Sequence, residues 1–269
     1  MNQKESFDLW PIEVTADTLL IRCFGGLSVS LGTKTVPSSV WRGRSAKAMF
    51  AYLVLNGPTT REKLMALCWP EDDPEKAENN FCSMIRYARN ALQRLNSGGR
   101  EFIARDGPFY AFRPSRPYAI DVREFKRQID LARRADPSSP EKAAHYCTAL
   151  QLYRDRFLPE LYYDWVTREQ DLLQELYLNA AQELGAVYLT RGAFSPLLAL
   201  TQEMLRVDPC CEGAYQLMLE ADLATGQQVN GLHHYQQMEH VLAKELEINP
   251  HEQLQALRQR LITQQPIPC

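Results

Sequence analysis

Apolar positions recur at helical spacing most clearly between Asp73 and Arg94, in the string DPEKAENNFCSMIRYARNALQR. Ala77, Phe81, Met84, Ile85, Ala88 and Leu92 form one stripe, which predicts a long helix with a buried face. Asp73 is a good N-cap and Pro74 suits the first helical position. Glu75 and Glu78 lie near the start and Arg86, Arg89 and Arg94 toward the end, as the helix dipole favours. The opposite face carries Lys76, Asn79, Asn80, Ser83, Arg86, Tyr87 and Asn90, with few carboxylates and many hydrogen-bond donors. Alone, such a face is most often a solvated one; its flanks decide the reading.

Upstream, Leu19–Cys23 and Leu27–Leu31 are short β-rich runs around Gly25-Gly26, and Lys34–Val36 follows a Gly32-Thr33 turn. This predicts a small antiparallel sheet. Trp41–Asn56 predicts a helix capped by Ser45, with Ala46, Met49, Phe50 and Leu53 inside and Gly57-Pro58 ending it. Thr59–Trp69 predicts a second helix opened by a Thr59/Glu62 capping box. Downstream of the long helix, Asn96–Gly99 reads as a flexible break. Glu101–Arg105 and Phe109–Phe112 then flank Asp106-Gly107, a hairpin turn signal.

Pro114–Pro117 reads as a short stiff linker, beyond which the chain reads as helical throughout. Helices are expected around Val122–Ile129, from Ser139-Pro140 onward, and over Asp164–Arg191, Phe194–Arg206, Glu212–Thr225, His233–Leu246 and Pro250–Leu261. Gly192 and Gly226 occupy matching places in two similar strings 34 residues apart, the period of tetratricopeptide (TPR) pairs. The expected fold class is α+β at the N-terminus followed by an all-α TPR-like domain. Residues 1–18 are an arm, 19–113 the α+β domain, 114–117 the linker, 118–264 the helical domain and 265–269 a tail. Cleavage near Ser115 is expected to release two independently folded pieces.

A length of 269 residues and an apolar fraction of 45% fit two cored domains. The seven cysteines are scattered without a CxxC pair, and adjacent Cys210 and Cys211 make poor disulfide partners, so reduced thiols in a cytoplasmic protein are expected. No signal-peptide core or bilayer-length apolar run appears, so no membrane partner is expected. The net charge of −3 conceals an asymmetry: residues 1–116 hold 16 Lys/Arg against 12 Asp/Glu, residues 117–269 hold 14 against 21. Arg86–Arg116 contains seven arginines and two acids, a bias toward a polyanion partner.

Catalytic patterns are missing. There is no GxxxxGK[ST] loop and no GxSxG elbow, and His233, His234, Glu239 and His240 do not form HExxH. Glu71-Asp72-Asp73 reads as a loop plus a cap, with no resemblance to a phosphate-accepting receiver. The chain reads as a non-enzyme with no cofactor and no metal.

A small sheet, three helices and a basic hairpin make the winged-helix layout, in which the third helix enters the major groove and the hairpin lies along the backbone or minor groove. Lys76, Asn79, Asn80, Ser83, Arg86, Tyr87 and Asn90 are then the candidates for base contact. Asn79 and Asn80 are the best readers, since a carboxamide pairs bidentately with adenine. Arg42, Arg44, Lys47, Arg61, Arg89 and Arg105 are the candidates for the DNA backbone. Arg61 in the first turn of the second helix suggests a phosphate seat. A second reading stays open: a helical-repeat adaptor whose winged helix is a protein-interaction platform.

Residues 19–113 resemble the OmpR-type winged helix, and the spelling resembles the SARP class (antibiotic-regulatory-protein type) of bacterial transcriptional activators. The resemblance rests on LLIRCFGGLSV, WRGRSAKAMFAYLVL, TTREKLMALCWPE, AENNFCSMIRYARNAL and GPFYAF, the last departing from the family's glycine-rich wing at Pro108 and Phe109. DVREFKRQIDLAR, ALQLYRDRFLPEL, YDWVTREQDLLQELY and VDPCCEGAYQLMLEADLATGQ resemble the bacterial transcriptional activator domain that follows it. The resemblance implies a sequence-specific activator that binds double-stranded promoter DNA, contacts RNA polymerase and self-associates on direct repeats.

Overall fold

The computed structural model describes residues 15–95, 102–137 and 139–263. The first 14 residues of the expected arm, the Asn96–Gly99 break, Arg100 and Glu101 before the hairpin, and the 265–269 tail lie outside the described residues. Two compact units are present, Met1–Leu173 and Gln174–Cys269.

The first unit runs β1 (Leu19–Arg22), β2 (Ser28–Leu31), β3 (Lys34–Thr35), a 3-10 turn at Ser38–Val40 and α1 (Arg44–Asn56). It continues through β4 (Thr59–Thr60), α2 (Arg61–Cys68), α3 (Pro74–Leu92) and the hairpin β5 (Ile103–Asp106) and β6 (Phe109–Phe112). Then come β7 (Tyr118–Ile120), α4 (Asp121–Arg134), α5 (Pro140–Leu152) and the start of α6 (Asp164–Thr190).

Capping explains where the helices begin, and two caps differ from expectation. Ser45 does not open α1; Gly43 holds the cap position, and Ser45 Oγ sits 2.9 Å from Tyr163 Oη. Thr60, not Thr59, caps α2 by accepting from the Lys63 N–H. Thr59 belongs to β4, which pairs with β6 in a three-stranded sheet ordered β4-β6-β5. Asp73 caps α3 through the Glu75 N–H at 2.9 Å, with Pro74 in the first turn as expected. The hairpin turns on Gly107-Pro108, since Asp106 still pairs with Phe109. Gly107 has φ +57°, a conformation glycine adopts without steric cost.

The N-terminal sheet is mixed, not purely antiparallel. Its order is β3-β2-β1-β7, and β7 joins β1 in parallel with Leu19 opposite Tyr118 and Ile21 opposite Ile120. This strand lies beyond the linker, where only helices were expected. The next residue fastens the join. Asp121, 3% exposed, accepts through Oδ2 from the N–H groups of Cys23 (2.7 Å) and Phe24 (2.9 Å), and through Oδ1 from Val122 (2.8 Å). The Phe24 ring packs on Phe125 and Tyr153 at 5.4 and 4.8 Å. Leu158 donates to the Cys23 carbonyl, and Glu160 Oε1 accepts from the Leu27 N–H and from Lys47 Nζ. Residues 118–173 thus pack with residues 19–113 in one compact unit, which runs to Leu173. The physical reason is that buried backbone N–H and C=O groups need partners, and β7 supplies them along the second edge of β1.

The second unit holds the end of α6, then α7 (Phe194–Val207), α8 (Glu212–Thr225), α9 (Gln228–Glu245) and α10 (Glu252–Thr263). Successive helices pack on one another around Tyr215, Leu219, Tyr235, Met238, Leu242, Leu254 and Leu261. Gly226 stops α8 in the left-handed conformation, φ +70° and ψ +24°. His234 Nδ1 lies 2.8 Å from Asp222 Oδ2. Among the described residues no group of three His, Cys, Asp or Glu is placed to hold a metal, and no helix is long and apolar enough to cross a membrane.

Candidate nucleic-acid interface

The rotation of α3 is set by what it buries. Ala77, Phe81, Ile85, Ala88, Ala91 and Leu92 face inward, while Met84 is only half-buried. Phe81 meets the Tyr110 ring edge-on at 5.0 Å, which seats β6 against the helix. Arg89 adds a second tie: its Nε and Nη2 both donate to the Ile103 carbonyl of β5, at 3.2 and 2.9 Å. Helix and hairpin therefore present a fixed pair of surfaces.

That packing turns Lys76, Asn79, Arg86 and Asn90 fully outward and leaves Asn80, Ser83 and Tyr87 half-buried. All seven lie on one side of α3. Arg42 and Arg86 both place their guanidinium groups near the Tyr87 ring, at 5.9 and 5.5 Å from its centroid. These are cation–π distances, so Tyr87 gathers two positive charges beside the exposed face.

Asp72, a loop residue by its sequence, belongs to this surface. Its Oδ1 lies 2.7 Å from Lys76 Nζ and its Oδ2 accepts from Asn80 Nδ2 at 3.2 Å. The hydrogen bond and charge of Asp72 raise the Lys76 pKa. Asp72 and Lys76 are four residues apart, the spacing of a helical ion pair, and that was the signal available in the sequence.

The cationic candidates divide into two groups. Arg42, Arg44 and Arg105 are exposed, Arg44 over the Tyr162 ring at 5.3 Å and Arg105 over Tyr110 at 5.9 Å. Arg61, Lys47 and Arg89 are engaged inside the protein. Arg61 pairs with Glu78 and lies 3.7 Å from Glu62, so the expected phosphate seat at α2 already holds carboxylates. Lys47, its side chain 13% exposed, bonds to Ser38 Oγ and Glu160, and Arg89 holds the hairpin. A phosphate reaches Lys47 or Arg89 only by breaking bonds that the fold uses, whereas at Arg61 it competes with surface carboxylates.

Residues 120–262 match the family model of the bacterial transcriptional activator domain. The chain is similar to the transcriptional regulatory protein EmbR of Mycobacterium tuberculosis, 24% identical over 247 residues, 90% of this chain and 63% of EmbR. It is also similar to the regulatory protein AfsR of Streptomyces griseus, 24% identical over 259 residues, 93% of this chain and 25% of AfsR. A solved structure of Mycobacterium tuberculosis EmbR in complex with a low affinity phosphopeptide shares the fold, with a TM-score of 0.74 and 22% identity over 93% of this chain and 66% of that one. The chain thus spans less than two thirds of EmbR and a quarter of AfsR. The matched domain occupies more than half of the sequence, and the chain belongs to the bacterial transcriptional activator domain family.

Proposed function

We propose that this protein is a sequence-specific activator that binds promoter DNA through α3 and the β5–β6 wing. Its helical domain contacts RNA polymerase or a second protomer. The observation that carries the reading is the outward face of α3: Asn79, Arg86 and Asn90 are exposed on a helix whose rotation is fixed by buried Phe81 and Ile85. Carboxamides read adenine and arginine reads guanine in the major groove. Arg42, Arg44 and Arg105 supply exposed charge for the phosphates, which position the protein without reading sequence.

A mobility-shift assay with the DNA upstream of the gene, at two salt concentrations, tests this. Retardation should depend on sequence and weaken with salt. Asn79→Ala should cost about 1–3 kcal/mol on the cognate site and little on random DNA. Arg105→Ala should weaken both alike and make the salt slope shallower by about one. Equal losses for Asn79→Ala on both DNAs, with an unchanged melting curve, would rule out base reading at that position.

Assembly gives a second test. Direct repeats call for head-to-tail pairing, whereas a palindrome calls for two-fold pairing. The free protein should sediment as a monomer or weak associate and pair on its site. A tight two-fold dimer without DNA would contradict this.

A further inference from the structure

The first unit contains a cleft of about 400 Å³ between the end of α1, α4 and the first turns of α6. We propose that it binds a small aromatic carboxylate. The volume lies within the range of small-molecule sites. One wall is aromatic: Tyr52 and Trp165 meet edge-on at 5.2 Å, and aliphatic Val122 and Leu172 extend the apolar surface. The indole N–H of Trp165 is buried and has no acceptor among the described residues. Leu172 is 45% exposed, an apolar side chain facing solvent beside the cleft it lines.

The charge on the cleft selects the ligand's sign. Lys126 and Glu169 form a 2.7 Å ion pair and cancel each other. Arg123 keeps its positive charge while Nη2 donates to the Val54 and Leu55 carbonyls, at 2.6 and 3.4 Å, where α1 ends. Arg168 is exposed, lines the cleft and has no partner among the described residues. Among the described residues neither guanidinium has a carboxylate partner, so the cleft with the aromatic wall is lined by two arginines whose charge no acid neutralises. A planar guanidinium holds a carboxylate through two parallel N–H···O bonds, and a flat ring lies well against the indole. The two requirements together describe a molecule with an aromatic body and one carboxylate. Nothing in this depends on DNA binding, so the two readings stand or fall separately.

The test uses the full chain and 4-fluorophenylacetate, followed by fluorine NMR line broadening, with uncharged 4-fluorophenylacetamide as control. The carboxylate should bind saturably, and the amide about tenfold more weakly, since a charged hydrogen bond contributes at least about 1.5 kcal/mol. Arg168→Ala should weaken the carboxylate about tenfold and leave the amide unchanged, with Arg168→Lys in between. Arg168 is exposed and has no partner among the described residues, so its replacement should not move the melting temperature. No saturation by about 10 mM carboxylate, equal binding of carboxylate and amide, or full affinity in Arg168→Ala would each overturn the proposal.

Discussion

A chain ending at Arg113 should fail to fold cooperatively, although it contains β1 to β6 and α1 to α3. Truncation there removes β7 from the edge of β1. It also removes Asp121, which accepts from the Cys23 and Phe24 N–H groups, and the Phe125 and Tyr153 rings that cover Phe24. Glu160, the acceptor for Leu27, goes with them. Returning one large apolar side chain to water costs about 1.5–3 kcal/mol. Leaving a buried N–H without an acceptor costs about 1–3 kcal/mol. Several such losses together approach the whole stability of a domain, about 5–15 kcal/mol. The bared edge of β1 would in addition be a template for aggregation. The truncated chain should therefore show a broad, weak thermal transition and rapid proteolysis, and the full chain nicked at Ser115 should elute as one species. A sharp melt of residues 1–113 within a few degrees of the full chain would restore the linker as a true domain boundary.

The second large effect is expected at Asp121. Asp121→Ala deletes three hydrogen bonds and strands at least two buried donors, a cost of about 3 kcal/mol. For a unit of this size that is about 6–12 °C in melting temperature. The loss also has a pH signature. Burial pushes the Asp121 carboxyl up to about 6, although the backbone donors and Arg22 pull it down. An unfolded aspartate titrates near 3.9, so between about pH 4 and 6 folding takes up a proton and the carboxyl's contribution grows as the pH falls. The gap between wild type and Asp121→Ala should widen by about 1 kcal/mol from pH 7 to pH 5. A gap that narrows over that range would place the carboxyl's folded pKa below the ordinary value.

Local signals in the sequence reached far. The stripe of α3 and its Asp73-Pro74 start agree with the structure because a 3.6-residue period and a capping pair are carried by neighbouring residues. The range Glu212–Thr225 is also the range of α8, closed by a glycine. What escaped was non-local. Tyr118–Ile120 is three residues long, and its partner strand β1 lies about a hundred positions earlier in the chain, before α1 to α3 and the hairpin. Ser45 looks like a cap, yet its hydroxyl meets Tyr163, 118 positions away. Lys47 and Arg89 look like free cations because their partners, Glu160 and the Ile103 carbonyl, are set by tertiary packing. The exposed face of α3 was legible from periodicity, whereas the sorting of its flanking cations into free and engaged was not.

The distance between Cys23 and Asp121 along the chain has a kinetic consequence. The contact closes a loop of 98 positions, and pairing over such separations slows folding well below the rate of local helix formation. Synthesis at about 5–20 residues per second leaves β1 without its parallel neighbour for roughly 5–20 s. During that interval α1 and α3 can form, but the N-terminal sheet has an open edge. The N-terminal sheet of this protein completes its packing only after the chain through Glu160 has left the ribosome, so a pause in translation before that point would prolong the vulnerable state.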